Sequence, residues 1–274
     1  MNYNAPAWLP GGNLQTIYAA RFAPSYAGTA PVYRRERWVT PDADFIDLDW
    51  LEDASLSEKP LVVLFHGLEG TSQSHYALAF ANYCRSNGLA YVVVHFRGCS
   101  GEINLAPRAY HSGDFEEIDW IVKRLRSART GPIYCVGISL GGNALLRWAQ
   151  EAGGIAKETV NAVAAVCSPI DLAASGRAIG KGFNRQVYTR MFLQTMRPKA
   201  LLKLTQFPGL FDKQAMENAR DLYDFDNVFT APLHGFKNTE DYWKRASAKP
   251  RLHEIKIPAL VVNALNDPFV PASS

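Results

Sequence analysis

No apolar run in this chain approaches the ~18 consecutive residues of a membrane-spanning helix, and Met1 to Pro10 lacks a charged region followed by an apolar one. The expectation is a cytoplasmic protein with neither a span nor a signal peptide. Charge of one sign is also in short supply: 29 Lys and Arg against 26 Asp and Glu leave a net charge of +3, with no basic block. Nucleic acid is therefore not an expected partner. Cysteine is scarce. Cys84, Cys99, Cys135 and Cys167 are scattered without C-x-x-C spacing, two of them in apparent core strands, which argues against both a metal site and a disulfide framework. Internal repeats and low-complexity tracts are missing as well.

What is present is enough for one large α/β unit with a sizeable core: 274 residues, 47% hydrophobic and 20% charged. Residues 1–31 mix aromatics with prolines and a Gly11-Gly12 pair, and read as an irregular arm packed by its aromatics. Between Tyr33 and Leu51 two β-like runs flank Thr40-Pro41-Asp42-Ala43. In the second, Ile46, Leu48 and Trp50 alternate with Asp47 and Asp49, which predicts a half-exposed antiparallel hairpin. Leu61–Phe65 and Tyr91–Val94 are continuously apolar, as strands covered on both faces should be. Tyr76–Arg85, stopped by Gly88, reads as a crossover helix, and a second helix is expected from an Asp114 N-cap. Strands are expected at 133–136 and 160–167, so strand and helix alternate as in a parallel sheet. From about 171 to 255 the alternation gives way to helix-like pieces broken at Pro198, Pro208-Gly209 and Pro232, an expected lid insertion. Pro258–Asn263 resumes the strand pattern. The fold class is α/β, in a single domain over 1–274.

The chemistry centres on Gly137-Ile138-Ser139-Leu140-Gly141. A lone G-x-S-x-G is weak, since roughly 0.1 chance matches are expected in a chain this long. Its setting is informative. A short apolar strand precedes it and a helix-forming segment closed by Gly153-Gly154 follows, the strand–turn–helix arrangement of a nucleophile elbow. Ser139 is the candidate nucleophile. A serine hydroxyl needs a histidine base, and that base needs a carboxylate to fix its tautomer; Asp267, just beyond the resumed strand, is the candidate. Oxyanion donors are expected from the backbone N–H groups of Leu140, after the serine, and Leu68, in the His66–Gly70 loop after the first buried strand. Arg97 and Glu102 read as loop braces.

These stretches resemble the α/β-hydrolase superfamily, and specifically its YheT-like branch (AB-hydrolase family four). The resemblance runs in order through Phe65-His66-Gly67-Leu68-Glu69-Gly70, His95 to Glu102, Tyr110-His111-Ser112-Gly113, Gly137 to Asn143 and Asp267-Pro268-Phe269. It implies an α/β-hydrolase fold and a serine hydrolase acting on carboxylic esters, with short to medium acyl chains, through an acyl-enzyme and without a cofactor. Transfer of the acyl group to an alcohol is the alternative outcome, and a non-catalytic binding module is another. One departure stands out. The triad runs Ser, Asp, His in chain order, yet only seven residues follow Asp267 and none is histidine. The base is expected beyond Ser274, together with further C-terminal elements of the fold. Of the six histidines present, His66 belongs to the oxyanion turn, His95 to a strand end and His75 to a helix start. His111 could face the cleft, and His234 and His253 belong to the insertion.

Overall fold

A computed structural model of the chain describes residues 5–51 and 58–274. Among them the expected apolar runs become the centre of a seven-stranded sheet. The strands are β1 (Tyr33–Val39), β2 (Phe45–Leu51), β3 (Leu61–Phe65), β4 (Ala90–His95), β5 (Ile133–Ile138), β6 (Ala162–Val166) and β7 (Ala259–Val262). Their order is β1-β2-β4-β3-β5-β6-β7. Strands β3 to β7 are mutually parallel, whereas β2 runs antiparallel to both β1 and β4. From β3 the chain crosses to β4 on one side and then to β5 on the other. That reversal opens a crevice at the carboxyl ends of β3 and β5, where ligands of open α/β sheets bind.

The core forms because β3 and β4 are apolar on both faces and helices cover them. Leu61, Val63, Leu64 and Phe65, together with Val92, Val93 and Val94, are fully buried. Helices α2 (His75–Ser86), α3 (Phe115–Ser127) and α4 (Leu140–Ala152) supply Ala77, Ala81, Ile118, Ile121, Leu125, Leu145 and Trp148 to the same cluster. Each Val, Leu or Ile so removed from water contributes about 1.5–3 kcal/mol. This core fixes the strand ends on which the polar loops stand.

Four local expectations are corrected. Strand β2 is buried along its whole length rather than half-exposed. Its aspartates are tolerated because the register sets Asp47 opposite Arg37 and Asp49 opposite Arg35 on β1. Each guanidinium grips its carboxylate with two hydrogen bonds of 2.8–2.9 Å, the geometry that makes an Arg–carboxylate pair strong. The N-terminal arm contains a helix, α1 (Gly11–Arg21), and its Trp8 and Phe22 remain exposed, with ring contacts to Tyr18 of the same arm. Pro198 does not break the insertion: it lies inside the helix Arg190–Gln206. Pro198 and Gln194, whose carbonyl loses its helical donor, are both exposed, so water can serve that carbonyl. Asp114 precedes α3 without capping it through its side chain, because its carboxylate is taken by Arg108 at 2.7 and 2.9 Å.

Behind the crevice sits a buried ionic cluster. Arg97 donates to Asp42, Asp44 and Glu117, and Asp44 also accepts from the Asn104 amide and the Leu105 N–H. The cluster anchors the loop that leaves β4, and Glu102 in the same loop pairs with Arg37 on β1. Replacing Arg97 with methionine keeps the bulk but strands buried carboxylates. Arg97→Met should destabilise the fold by about 3–5 kcal/mol, read from urea denaturation. Unchanged stability would show that the carboxylates find other partners.

Candidate active site

Ser139 occupies the junction of β5 and α4 with φ 51° and ψ −118°, a backbone conformation that costs a non-glycine residue about 1–3 kcal/mol. Three contacts hold it there. The Ser139 N–H donates to the Val166 carbonyl of β6 at 2.9 Å, and its own carbonyl accepts from Gly142 and Asn143 at 3.0 and 3.2 Å. The flanking glycines supply the room: a Cβ at Gly137 would collide with Gly141 and Gly142, and one at Gly141 with the carbonyls of Phe65 and His66. Helix α4 is therefore pressed against the carboxyl end of β3. A Cβ at Gly67 would lie 3.2 Å from that of Ser139, so the β3 loop and the serine are direct neighbours.

The β3 loop is tied down by two tyrosines. The Gly67 N–H donates to the Tyr76 hydroxyl at 3.1 Å and the Glu69 N–H to that of Tyr110 at 2.9 Å. Tyr110 in turn donates to the Glu69 carboxylate, which pairs with Lys199 at 2.8 Å. Between them, the N–H of Leu68 has no protein acceptor among the described residues. Leu140 is the first residue of α4, so its N–H has no acceptor within the helix. Leu68, Leu140 and Ser139 line one cavity of about 150 Å³, whose other walls are largely apolar and include Leu172, Ile179, Phe192, Met196 and Phe269. Asn143, fully buried, joins α4 to the chain above it. Its amide donates to Ser112 and to the Ala246 carbonyl, and it accepts from the Ala248 N–H.

Asp267 lies in the loop after β7. One carboxylate oxygen accepts from the N–H groups of Phe269 and Val270 at 2.8 and 3.1 Å, the turn expected of an aspartate before proline. Phe269 and Val270 themselves line the cavity beside Ser139. Burial, followed by the neighbouring Asp267, raises the pKa of the Cys167 thiol at the end of β6. The loop is clamped from outside. Asn184 donates to the Pro268 carbonyl at 2.6 Å, Tyr188 packs edge-on against Phe269, and Gly12 of α1 approaches the Asn266 carbonyl too closely to leave space for a side chain. Tyr188 also donates to Asn13 at 3.0 Å. Nothing in the composition of residues 1–31 signalled this contact.

Among the described residues no histidine is hydrogen-bonded to Ser139 or Asp267. His66 is sealed in the core: its Nδ1 donates to the Gly67 carbonyl and its Nε2 accepts from the Phe96 N–H, and burial pushes its pKa down to about 3. His95 pairs with Asp49 at 2.9 Å. His111 does face a cavity, but not the one that holds Ser139. It packs on His234 at 4.4 Å and accepts from the Gly113 N–H, with burial pushing its pKa down to about 3. His75 opens α2 and His253 is exposed.

A family model for the alpha/beta hydrolase fold matches residues 60–274. The chain belongs to this family. Within it the chain falls in the YheT-like branch: it is 38% identical over 239 residues to YheT of Escherichia coli (strain K12), an esterase by name, covering 86% of this chain and 69% of that one. Human phospholipase ABHD3 is 27% identical over 278 residues, covering 98% of this chain and 66% of its own length. The α/β-hydrolase chain thus spans about two thirds of these relatives. Among solved structures, the Pyrococcus furiosus esterase Pf2001 superposes with a TM-score of 0.54 at 16% identity, over 89% of this chain and 75% of that one. That likeness is one of fold.

The strain at Ser139 makes a prediction that needs no substrate. Glycine adopts this conformation freely, whereas alanine does not. Ser139→Gly should therefore be more stable than Ser139→Ala by about 1–2 kcal/mol, after allowing for the extra chain entropy of glycine. Chemical denaturation of both variants measures the difference, and equal stabilities would mean that the position carries no strain.

Proposed function

We propose that this chain carries the nucleophile, oxyanion hole and acid of a serine-dependent carboxylic ester hydrolase for short to medium acyl chains. The observation that carries the reading is Ser139, held in a strained strand-to-helix turn and lining a largely apolar cavity together with Leu68 and Leu140. Relatives named esterase, phospholipase and monoacylglycerol lipase support ester chemistry.

In this reading the acyl chain lies in the apolar cavity and Ser139 attacks the ester carbonyl. Leu68 and Leu140 donate to the developing oxyanion, each such donor being worth roughly 2.7–4 kcal/mol. The bond to the alcohol then breaks, leaving an acyl-enzyme that water hydrolyses. Residues 171–255 act as the lid that closes the cavity and keeps bulk water from the intermediate. A histidine must take the Ser139 proton and give it to the leaving alcohol, with Asp267 holding its second nitrogen. Among the described residues, none of the six histidines of this sequence is hydrogen-bonded to Ser139 or Asp267, so in this reading the base is a histidine outside residues 1–274.

The test uses residues 1–274. They should hydrolyse p-nitrophenyl butanoate only slowly, and added imidazole should restore turnover by tenfold or more, a small part of the roughly 10²–10⁴ of a positioned base. Ser139→Ala should abolish this rescue, leaving only the reaction of imidazole in solution. Asp267→Asn should leave the rescue by free imidazole within about threefold, since an untethered base needs no orienting carboxylate. Rescue that survives in Ser139→Ala, or no rescue at all, would favour a non-catalytic binding module.

A further inference from the structure

Asp226 stands where two chambers meet. Besides the cavity at Ser139 there is a second one of about 70 Å³, and Leu68, Leu140, Met196, Asp226 and Tyr242 line both. Leu68 and Leu140 thus lie at the boundary, and a ligand held there reaches into a chamber on each side. Asp226 begins a π-helical turn, Asp226–Thr230, an irregularity found often at functional sites.

The partners of this carboxylate differ from those of Glu69, the other carboxylate in the chamber walls. Glu69, which lines the second chamber, is paired with Lys199. Arg97 is spent on Asp42, Asp44 and Glu117, and Lys203 on the carbonyls of Asn104 and Ala106 and on Gln206. Asp226 has no cationic partner among the described residues. One of its oxygens accepts from the Thr230 hydroxyl at 2.7 Å and the other from the Trp243 indole N–H at 2.9 Å. Two neutral donors fix its position without cancelling its charge. An ionised carboxylate has about four lone-pair sites, so acceptor capacity remains toward the chambers. The side chain is half-buried, and it lines both cavities.

We propose that Asp226 is a specificity-determining residue that admits neutral, hydroxyl-bearing ligands and turns away anions. On the hydrolase reading, on which only this identification rests, the excluded anion is the free carboxylate product and the hydroxyl belongs to the alcohol. A like charge in the same poorly screened space repels an anionic head group, while a hydroxyl donates to the open side of the carboxylate. A cationic ligand is not the better fit, because Lys199 and Lys203 line the adjoining chamber.

Binding to residues 1–274 tests this without turnover. Octan-1-ol and octanesulfonate share a tail, and the sulfonate is an anion at every pH used. Burial pushes the Asp226 pKa up to about 6, so it is mostly neutral at pH 5 and mostly ionised at pH 7. The groups around it are Tyr242 and Trp243 on the helix Thr239–Ala246, Lys199 and Lys203 on Arg190–Gln206, Tyr110 and His111 on the loop before α3, and Glu69 and Arg97. Burial holds His111 down at about 3, Lys203 down at about 8 and both tyrosines well above 10, so these change charge outside the window.

Calorimetric titration should show octanesulfonate affinity falling by roughly tenfold from pH 5 to pH 7 in the unmodified chain, close to the ceiling set by a pKa near the middle of the window. Octanol affinity should change by less than about twofold. In Asp226→Asn, where the amide can keep both contacts once the Thr230 hydroxyl reverses, sulfonate affinity should be the same at both pH values. Thr230→Val keeps the charge but removes one stabilising donor, and should move the midpoint of the sulfonate response upward. A pH-independent affinity in the unmodified chain, no sulfonate binding at either pH, a pH response that persists in Asp226→Asn, or an unmoved midpoint in Thr230→Val would each overturn the proposal. Because no step requires a nucleophile, failure of the Ser139 rescue experiment would leave this result standing, and the reverse also holds.

Discussion

The contact on which the site depends is the close approach of α4 to the end of β3. Gly141 has no side chain, so the first turn of the helix lies against the carbonyls of Phe65 and His66. That contact sets the distance between the β3 loop and the β5–α4 turn, and with it the relation of the Leu68 and Leu140 N–H groups to Ser139. The strained dihedrals of Ser139 follow from the same constraint. A relaxed turn would need more room than two abutting backbones leave, and the hydrogen bond from Ser139 to Val166 on β6 prevents the turn from swinging outward. Strain persists here because the hydrogen bonds of Ser139 and the close backbone packing around it over-determine the geometry.

Two tyrosines extend this rigidity to the β3 loop. Tyr76 comes from α2 and Tyr110 from the loop before α3, and each occupies an N–H that flanks Leu68. His66 works from below, bridging Gly67 to the N–H of Phe96 after β4. Its neutral tautomer follows from its partners, one acceptor and one donor. A histidine beside the candidate nucleophile invites a catalytic role, but both of its nitrogens are used in joining two strand ends.

Much of this was legible in the sequence because its signals are local. The Gly137–Gly141 pattern between an apolar run and a helix-forming segment specifies the turn, and the doubly apolar strands specify the parallel sheet. The misreadings share a different cause. Asp47 and Asp49 alternate with apolar residues and so suggest an exposed face, but the burial of β2 is decided by arginines on β1 and a histidine on β4 that no window of β2 contains. Pro198 looks like a helix break until one sees that the carbonyl it orphans faces water. The packing of Gly12 and Gln15 against Asn266 in the Asp267 loop joins residues about 250 positions apart, and no periodicity encodes such a contact. Asp226 carries no motif beyond a threonine four residues on.

The distribution of charge around the chambers follows from the same packing. Charges on the β1–β2–β4 side are collected into networks: Arg35 and Arg37 with Asp49 and Asp47, and Arg97 with Asp42, Asp44 and Glu117. These networks brace the loops that leave β4, and in doing so they use up the cations nearest the cavities. Lys199 and Lys203 are consumed in turn by Glu69 and by main-chain carbonyls. Helix Arg190–Gln206 is thereby fastened to the loops over β3 and β4 by charge, while its Met196 faces the cavities with an apolar surface. Among the described residues, charge without an ionic partner in the walls is thus limited to Lys203, held by carbonyls and an amide, and Asp226, whose partners are a hydroxyl and an indole. In a low-dielectric enclosure such a group outweighs several balanced pairs at the same distance, since the field of a balanced pair falls away faster than that of a single charge. The ionic clusters therefore support the site mechanically, and the charges they leave without an ionic partner in its walls are Lys203 in the second chamber and Asp226 where the two chambers meet.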